Sequence, residues 1–241
     1  MDSYNPLYDY YKDGQIKDVS STIDEQNQIY GAQHWYPLLK NVTPQSFLFN
    51  LSEQDIKTLY NGQLPTNTSF RESVELAISQ GYQFVKTTHV SAHAFKPIKS
   101  IEEFEDQITN PRIVMSFRRY HCKYLLFRKY VEMNLECRVY VHDLKVKYVE
   151  VYRDTNNEFN KEMFSDIINF TYLEVTPKLS PLYNDFTVDV YFTEGTKWQV
   201  VEVNSPLWLK CGTYLIDYNW EKDKIHSAVK PICRYKDKET N

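Results

Sequence analysis

Residues 136 to 206 carry the pattern that most narrows the choice of fold. "ECRVYVHDL" (136 to 144) runs into "KVKYVEVYRD" (145 to 154), and "FTVDVYFTEGTKWQVVEVNSP" (186 to 206) turns back at Glu194-Gly195-Thr196. Both stretches are rich in β-branched and aromatic residues, alternate with period two and are broken by short polar turns, the signature of antiparallel hairpins. Between them "NKEMFSDIINFTYLEV" (160 to 175) has a helical period. A hairpin, a helix and a second hairpin predict an antiparallel sheet with a helix laid on it.

The preceding part has a different texture. "QSFLFNLS" (45 to 52) predicts a half-buried strand, and "SEQDIKTLYNG" (52 to 62) a helix with Ser52 as N-cap, Asp55 at the capping-box position and Gly62 as its stop. "NTSFRESVELAISQGY" (67 to 82) predicts a second helix closed by Gly81, and "YQFVKTT" (82 to 88) a strand. "SIEEFEDQIT" (100 to 109) then reads as a capped helix and "RIVMSFRRY" (112 to 120) as a strand. The fold class expected is α+β in two lobes, 31–124 and 125–241, with mixed or antiparallel sheets flanked by helices and a polar, Tyr- and Asp-rich extension over 1–30.

Composition removes several function classes. Six glycines in 241 residues, with neither GxGxxG nor GxxxxGK[ST], leave no glycine-rich phosphate loop. A net charge of -4 makes no electrostatic case for bulk nucleic-acid binding. Cys122, Cys137, Cys211 and Cys233 lack CxxC spacing, so reduced thiols in a cytoplasmic protein are expected. No apolar run approaches the ~20 residues that span a bilayer. The expected state is a cytoplasmic monomer.

The chemistry concentrates in the second hairpin. Side chains alternate along a strand, so Glu202 and Asn204 share a face, and a turn at 194–196 brings Asp189 onto it. Two carboxylates and a carboxamide are hard oxygen donors of the kind Mg²⁺ takes alongside phosphate and water. Lys86, Arg118, Arg128, Lys129 and Arg138 each stand in or beside β-rich apolar sequence, where a lone charge is costly. Taken singly, each is a solvated edge or an ion pair. Together they suit a nucleoside triphosphate held by cations from two lobes, with Mg²⁺ joining its phosphates to Asp189, Glu202 and Asn204.

The order of blocks "WYPLL…FVKTTHVSAHAF…RIVMSFRR…LLFRKYVEM…ECRVYV…YRD…VDVY…VVEVNSP" resembles the cell division cycle 123 (D123) protein family, an offshoot of the ATP-grasp fold, over residues 34 to about 220. The resemblance implies ATP and Mg²⁺ between two lobes. By position, Lys86 matches the family's phosphate lysine and Arg118 a second basic site. The backbone at Arg128, Lys129 and Tyr130 matches the hinge under adenine, Glu132 a ribose contact, and Arg138 the arginine of a Glu-x-Arg facing the phosphates. Asp189, Glu202 and Asn204 match the metal ligands. The chain departs from the family in Glu202, usually Asp, in Ser205 between Asn204 and Pro206, around "TTHVSAH", at His121, and in lacking an acidic insertion between Asn61 and Ser69.

Two functions follow from the resemblance. Family members help assemble eukaryotic translation initiation factor two by binding its gamma subunit, which implies an ATP-binding assembly factor. Typical ATP-grasp proteins are ligases that activate a carboxylate with ATP, which implies an enzyme of the carboxylate–amine or RNA-ligating type. The scarcity of glycine argues against a phosphate-covering flap and so favours the assembly factor. His89, His93 and His121 are not assigned an acid–base role.

Overall fold

The computed structural model describes residues 29–88, 96–111, 113, 114, 117, 123–156, 158–193 and 197–204, together with the backbone of 215–218 and 232–236. Two sheets organise it. The smaller has the order β1-β3-β2, all antiparallel, from β1 (Ser46–Asn50), β2 (Phe84–Thr87) and β3 (Tyr124–Arg128). Its middle strand is apolar on both faces, and alternation sends its side chains to different places. Leu125 and Phe127 enter one core while Leu126 enters the other. Strand β3 is therefore the wall between two hydrophobic cores.

The smaller core is filled by amphipathic helices whose ends are written in the sequence. Helix α2 (Glu53–Tyr60) begins with a complete capping box between Ser52 and Asp55, and Gly62 follows it at φ 70°. Helix α3 (Thr68–Ser79) is capped by Asn67 and followed by Gly81 at φ 84°, and α4 (Ile101–Ile108) is capped by Ser100. Phe70, Val74, Phe104 and Ile108 from these helices pack on Val85, Leu125 and Phe127.

The segment 112–120, expected as a strand, is a correction. Its described residues Ile113, Val114 and Phe117 are helical, with the Val114 amide donating to the Asn110 carbonyl at 3.0 Å. Ile113 and Phe117, about one helical turn apart, are both fully buried in the smaller core.

The larger sheet has the order β7-β6-β4-β5-β9-β8. Strands β4 (Leu135–His142) and β5 (Lys145–Asp154) form the first hairpin, turning through Asp143 and Leu144 at φ 50° and 56°, the paired positive angles of a type I′ turn. Strands β6 (Phe186–Thr193) and β7 (Lys197–Asn204) form the second, whose turn at 194–196 lies outside the described residues. Strand β9 (Ile232–Lys236) runs parallel to β5, with β8 (Leu215–Tyr218) antiparallel at the edge. One face of the sheet, with Cys137, Val139, Val149, Val188 and Val190, buries against α5 (Lys161–Phe170) and α6 (Thr176–Leu179), which a π-helical turn (Thr171–Val175) joins.

Two boundaries expected from the sequence shift. Strand β3 belongs to the smaller sheet, so the chain crosses between sheets at 129–134 rather than at 124/125. Helix α1 (Ala32–Leu39) comes from the expected first lobe, yet Ala32, Trp35 and Leu39 are buried in the larger core. Tyr30, expected in the extension, stacks on Tyr183 with ring centroids 4.5 Å apart.

Candidate functional site

The site lies between the sheets, and its polarity follows from register. Lys86 is paired with Leu126 and Ser46 with Arg128, and cross-strand partners share a face. Lys86, Arg128 and Ser46 therefore look the same way as Leu126, away from the smaller core. Opposite them stands the second face of the larger sheet. Register places Glu150, Arg138, Asp189 and Glu202 in one row across β5, β4, β6 and β7.

A β-bulge brings Glu202 into that row. Val200 pairs with Val190 and Glu202 with Asp189, so Val201 is the extra residue. Before it, Trp198 and Val200 point into the core; after it, Val203 does. In an unbroken strand Glu202 would share the face of Val200. The bulge resets the alternation and turns Glu202 and Asn204 to the face of Asp189. It also frees the Val201 carbonyl, which accepts a 2.7 Å hydrogen bond from Arg128 Nη1.

Two ion pairs fill the centre. Lys86 Nζ meets Glu202 Oε1 at 2.5 Å across the gap between sheets, both side chains buried. Within the larger sheet Arg138 holds Asp189 through Nε to Oδ1 at 2.6 Å and Nη2 to Oδ2 at 2.7 Å, the fork geometry of a bidentate pair. Asn204 Nδ2 lies 3.4 Å from Asp189 Oδ2. Arg128 is buried, its Nε donating to Ser46 Oγ at 3.0 Å, and its Nη2 has no partner among the described residues. Burial pulls its pKa down to about 10, with Glu202 opposing the shift, so it stays charged at neutral pH.

Solved structures share this arrangement of elements. Two structures of Cdc123 from Schizosaccharomyces pombe, one of them C-terminally truncated, each match with a TM-score of 0.64 at 16 % identity, over 89 % of this chain and 98 % of theirs. The chain has the Cdc123 fold. A D-alanine–D-alanine ligase from Coxiella burnetii matches with a TM-score of 0.47 at 16 % identity, over 75 % of this chain and 49 % of the ligase. No family model matches the sequence, and no curated protein matches it. The α+β fold with antiparallel sheets flanked by helices, expected from the sequence, is the fold found, and it is the one Cdc123 has.

Within the Cdc123 fold the expected site residues fall into three groups. Lys86, Arg128, Arg138, Asp189, Glu202 and Asn204 converge between the sheets. Lys129, Tyr130 and Glu132 lie on the crossing segment and are exposed; the Lys129 amide donates to the Gln45 carbonyl, and its ammonium sits 5.9 Å from the Tyr82 ring centroid. Arg118 lies outside the described residues, as do His89, His93 and His121.

The donor set fits a hard divalent cation. Among the described residues no three His, Cys, Asp or Glu side chains converge as a metal-ion group. Two carboxylates and a carboxamide on one buried face instead suit a cation that keeps water and phosphate oxygens in its shell.

Sequence reasoning missed the support beneath Arg138. The Tyr152 ring lies 5.9 Å from the guanidinium carbon, and its hydroxyl donates to Glu136 at 2.6 Å, which also pairs with Arg153 at 2.6 Å. Tyr152 is itself the extra residue of a bulge, between Val151 opposite Cys137 and Arg153 opposite Glu136. Burial raises the pKa of Glu136 against the opposing pull of Tyr152 and Arg153. Burial opposes the charge on Arg138, but the Asp189 carboxylate outweighs it and drives the guanidinium pKa up. The doubled valine of "QVVEVN" was the legible sign of the bulge at Val201.

Proposed function

We propose that this chain is a member of the Cdc123 family that binds ATP with Mg²⁺ between its two sheets and acts as an assembly factor for eukaryotic translation initiation factor two, on its gamma subunit. The observation that carries the nucleotide reading is the meeting of Lys86 and Arg128 from the smaller sheet with Arg138, Asp189, Glu202 and Asn204 of the larger one. Lys86 and Arg138 would bind phosphate oxygens. Asp189, Glu202 and Asn204 would hold Mg²⁺, which when bound screens the phosphate charge. Arg128, anchored to Ser46 and to the bulge carbonyl, would set the distance between the sheets. The match along 98 % of Cdc123 at 16 % identity supports the fold, and the assembly role rests on the sequence resemblance.

Calorimetric titration of ATP with and without Mg²⁺, on the wild type and on an Asp189→Ala, Glu202→Ala double variant, tests the site. Mg²⁺-dependent binding lost in the variant is the expected result, and a wild type that ignores ATP would sink the reading. ADP or AMP formation in the same tubes would mark a ligase. Binding of the purified gamma subunit, with and without MgATP, tests the partner.

A further inference from the structure

The direction in which Glu202 and Asn204 face depends on one extra residue, Val201. A bulged residue stands outside the regular ladder, so contacts from elsewhere fix where it sits. At Val201 that contact is the Arg128 guanidinium, whose Nη1 donates to the Val201 carbonyl at 2.7 Å. The guanidinium is itself held from behind. Its Nε donates to Ser46 Oγ at 3.0 Å, and the Ser46 hydroxyl is oriented by donating to the Pro44 carbonyl at 2.8 Å. The Ser46 backbone is clamped in turn by the Tyr36 hydroxyl, which accepts from its amide at 2.9 Å and donates to its carbonyl at 2.8 Å. Tyr36 belongs to α1 and packs against the larger core. A chain of contacts thus runs from that core through α1 and β1 to Arg128 and back to β7, closing on the residue beside Glu202.

Arginine suits this place for its shape. Arg128 is only 2 % exposed and its Nη2 has no partner among the described residues, so its burial is not offset by a full set of hydrogen bonds. Its rigid plane instead carries two nitrogens to two acceptors on different sheets, where lysine has a single nitrogen on a flexible stem. We propose that Arg128 is a positioning residue for Glu202: it pins the bulge at Val201 and so sets how the Glu202 carboxylate stands in the gap between the sheets. The consequence for metal affinity rests on the nucleotide reading above; the pinning itself does not.

Two readouts test the two parts. The first needs no ligand. With lysine side chains labelled with ¹⁵N, the Lys86 ammonium, which meets Glu202 directly, reports where that carboxylate sits. Arg128→Lys keeps a cation and loses the two-nitrogen bridge, whereas Ser46→Ala keeps the guanidinium and loses its foot. Both variants are expected to melt cooperatively and to move the Lys86 resonance. An unmoved resonance in folded Arg128→Lys overturns the pinning, and Ser46→Ala decides in the same way if Arg128→Lys does not fold. The second readout is Mg²⁺ titrated at fixed ATP. Arg128→Lys is expected to need about ten-fold more Mg²⁺ for half-saturation while its ATP affinity at saturating Mg²⁺ stays within about two-fold of the wild type, the size of an ordinary coupling. Affinity lost equally at every Mg²⁺ concentration would mark general damage and overturn the positioning role. A wild type that does not bind ATP with Mg²⁺ sinks the nucleotide reading, and the Lys86 resonance then decides the pinning alone.

Discussion

The two ion pairs at the centre of the molecule carry the same charges and are built differently. Lys86–Glu202 is a single contact between sheets, formed by a flexible stem reaching a carboxylate that a bulge has turned toward it. Arg138–Asp189 is a fork between neighbouring strands of one sheet, propped from below by Tyr152 and Glu136. The first depends on how the lobes sit together, the second only on strand register. One is a clasp and the other a fixture, so damage to them should register in different observables.

The largest effect is expected at the clasp. Lys86→Met removes the ammonium that meets the buried Glu202 carboxylate across the sheets, and loss of one partner from a buried pair costs about 3 to 5 kcal/mol. Chemical denaturation at neutral pH measures this, and a loss below about 1 kcal/mol would mean that the pair adds little to the joining of the sheets. The fixture should be softer. Arg138→Lys keeps the charge but loses the planar fork and the stacking on Tyr152, for an expected loss of about 1.5 to 3 kcal/mol. An equal loss in both variants would erase the distinction.

The smallest effect is one of slope. Burial raises the folded-state pKa of Glu136 above its ordinary 4.5, so between 4.5 and that raised value the folded protein binds more protons than the unfolded chain. The contribution of this group is therefore fully present below 4.5 and is lost as pH rises through that window. Glu136→Gln removes the titration but keeps an acceptor for Tyr152. The stability difference between wild type and Glu136→Gln should move against the wild type as pH rises from 4.5, and a flat difference would mean that Glu136 titrates normally. The Lys86–Glu202 clasp should be indifferent to this substitution.

What was legible in the sequence was local. The Ser52–Asp55 box and the glycines after α2 and α3 are each encoded within a few residues, and each stands where expected. The segment 112–120 misled because Ile113 and Val114 favour a strand by type, the Ile113–Phe117 spacing fits one face of a strand or of a helix alike, and packing in the smaller core decided. The lobe boundary misled because the apolar run of β3 feeds both cores and carries no mark of which sheet owns it. In the site, the shared face of Glu202 and Asn204 followed from strand alternation, but the register running from Thr193–Lys197 to Val190–Val200 would set Asp189 opposite Val201, and only the bulge sets it opposite Glu202. The Lys86–Glu202 contact was not legible, since no periodicity links residues 116 positions apart. The resemblance assigns the backbone at Arg128 to a hinge and is silent on its guanidinium, which is bonded to Ser46 and to the carbonyl that the bulge exposes.

The wall formed by β3 has a consequence for how the molecule comes apart. Leu125 and Phe127 complete one core and Leu126 the other, so neither hydrophobic cluster can dissolve without stripping a face from the strand that seals its neighbour. Melting of the α2–α3–α4 side would release β3, and with it the strand partner of Lys86 and the clasp to Glu202. The described lobes should therefore share one cooperative unfolding unit, with amide hydrogens of β2, β3 and β7 exchanging at a common rate limit.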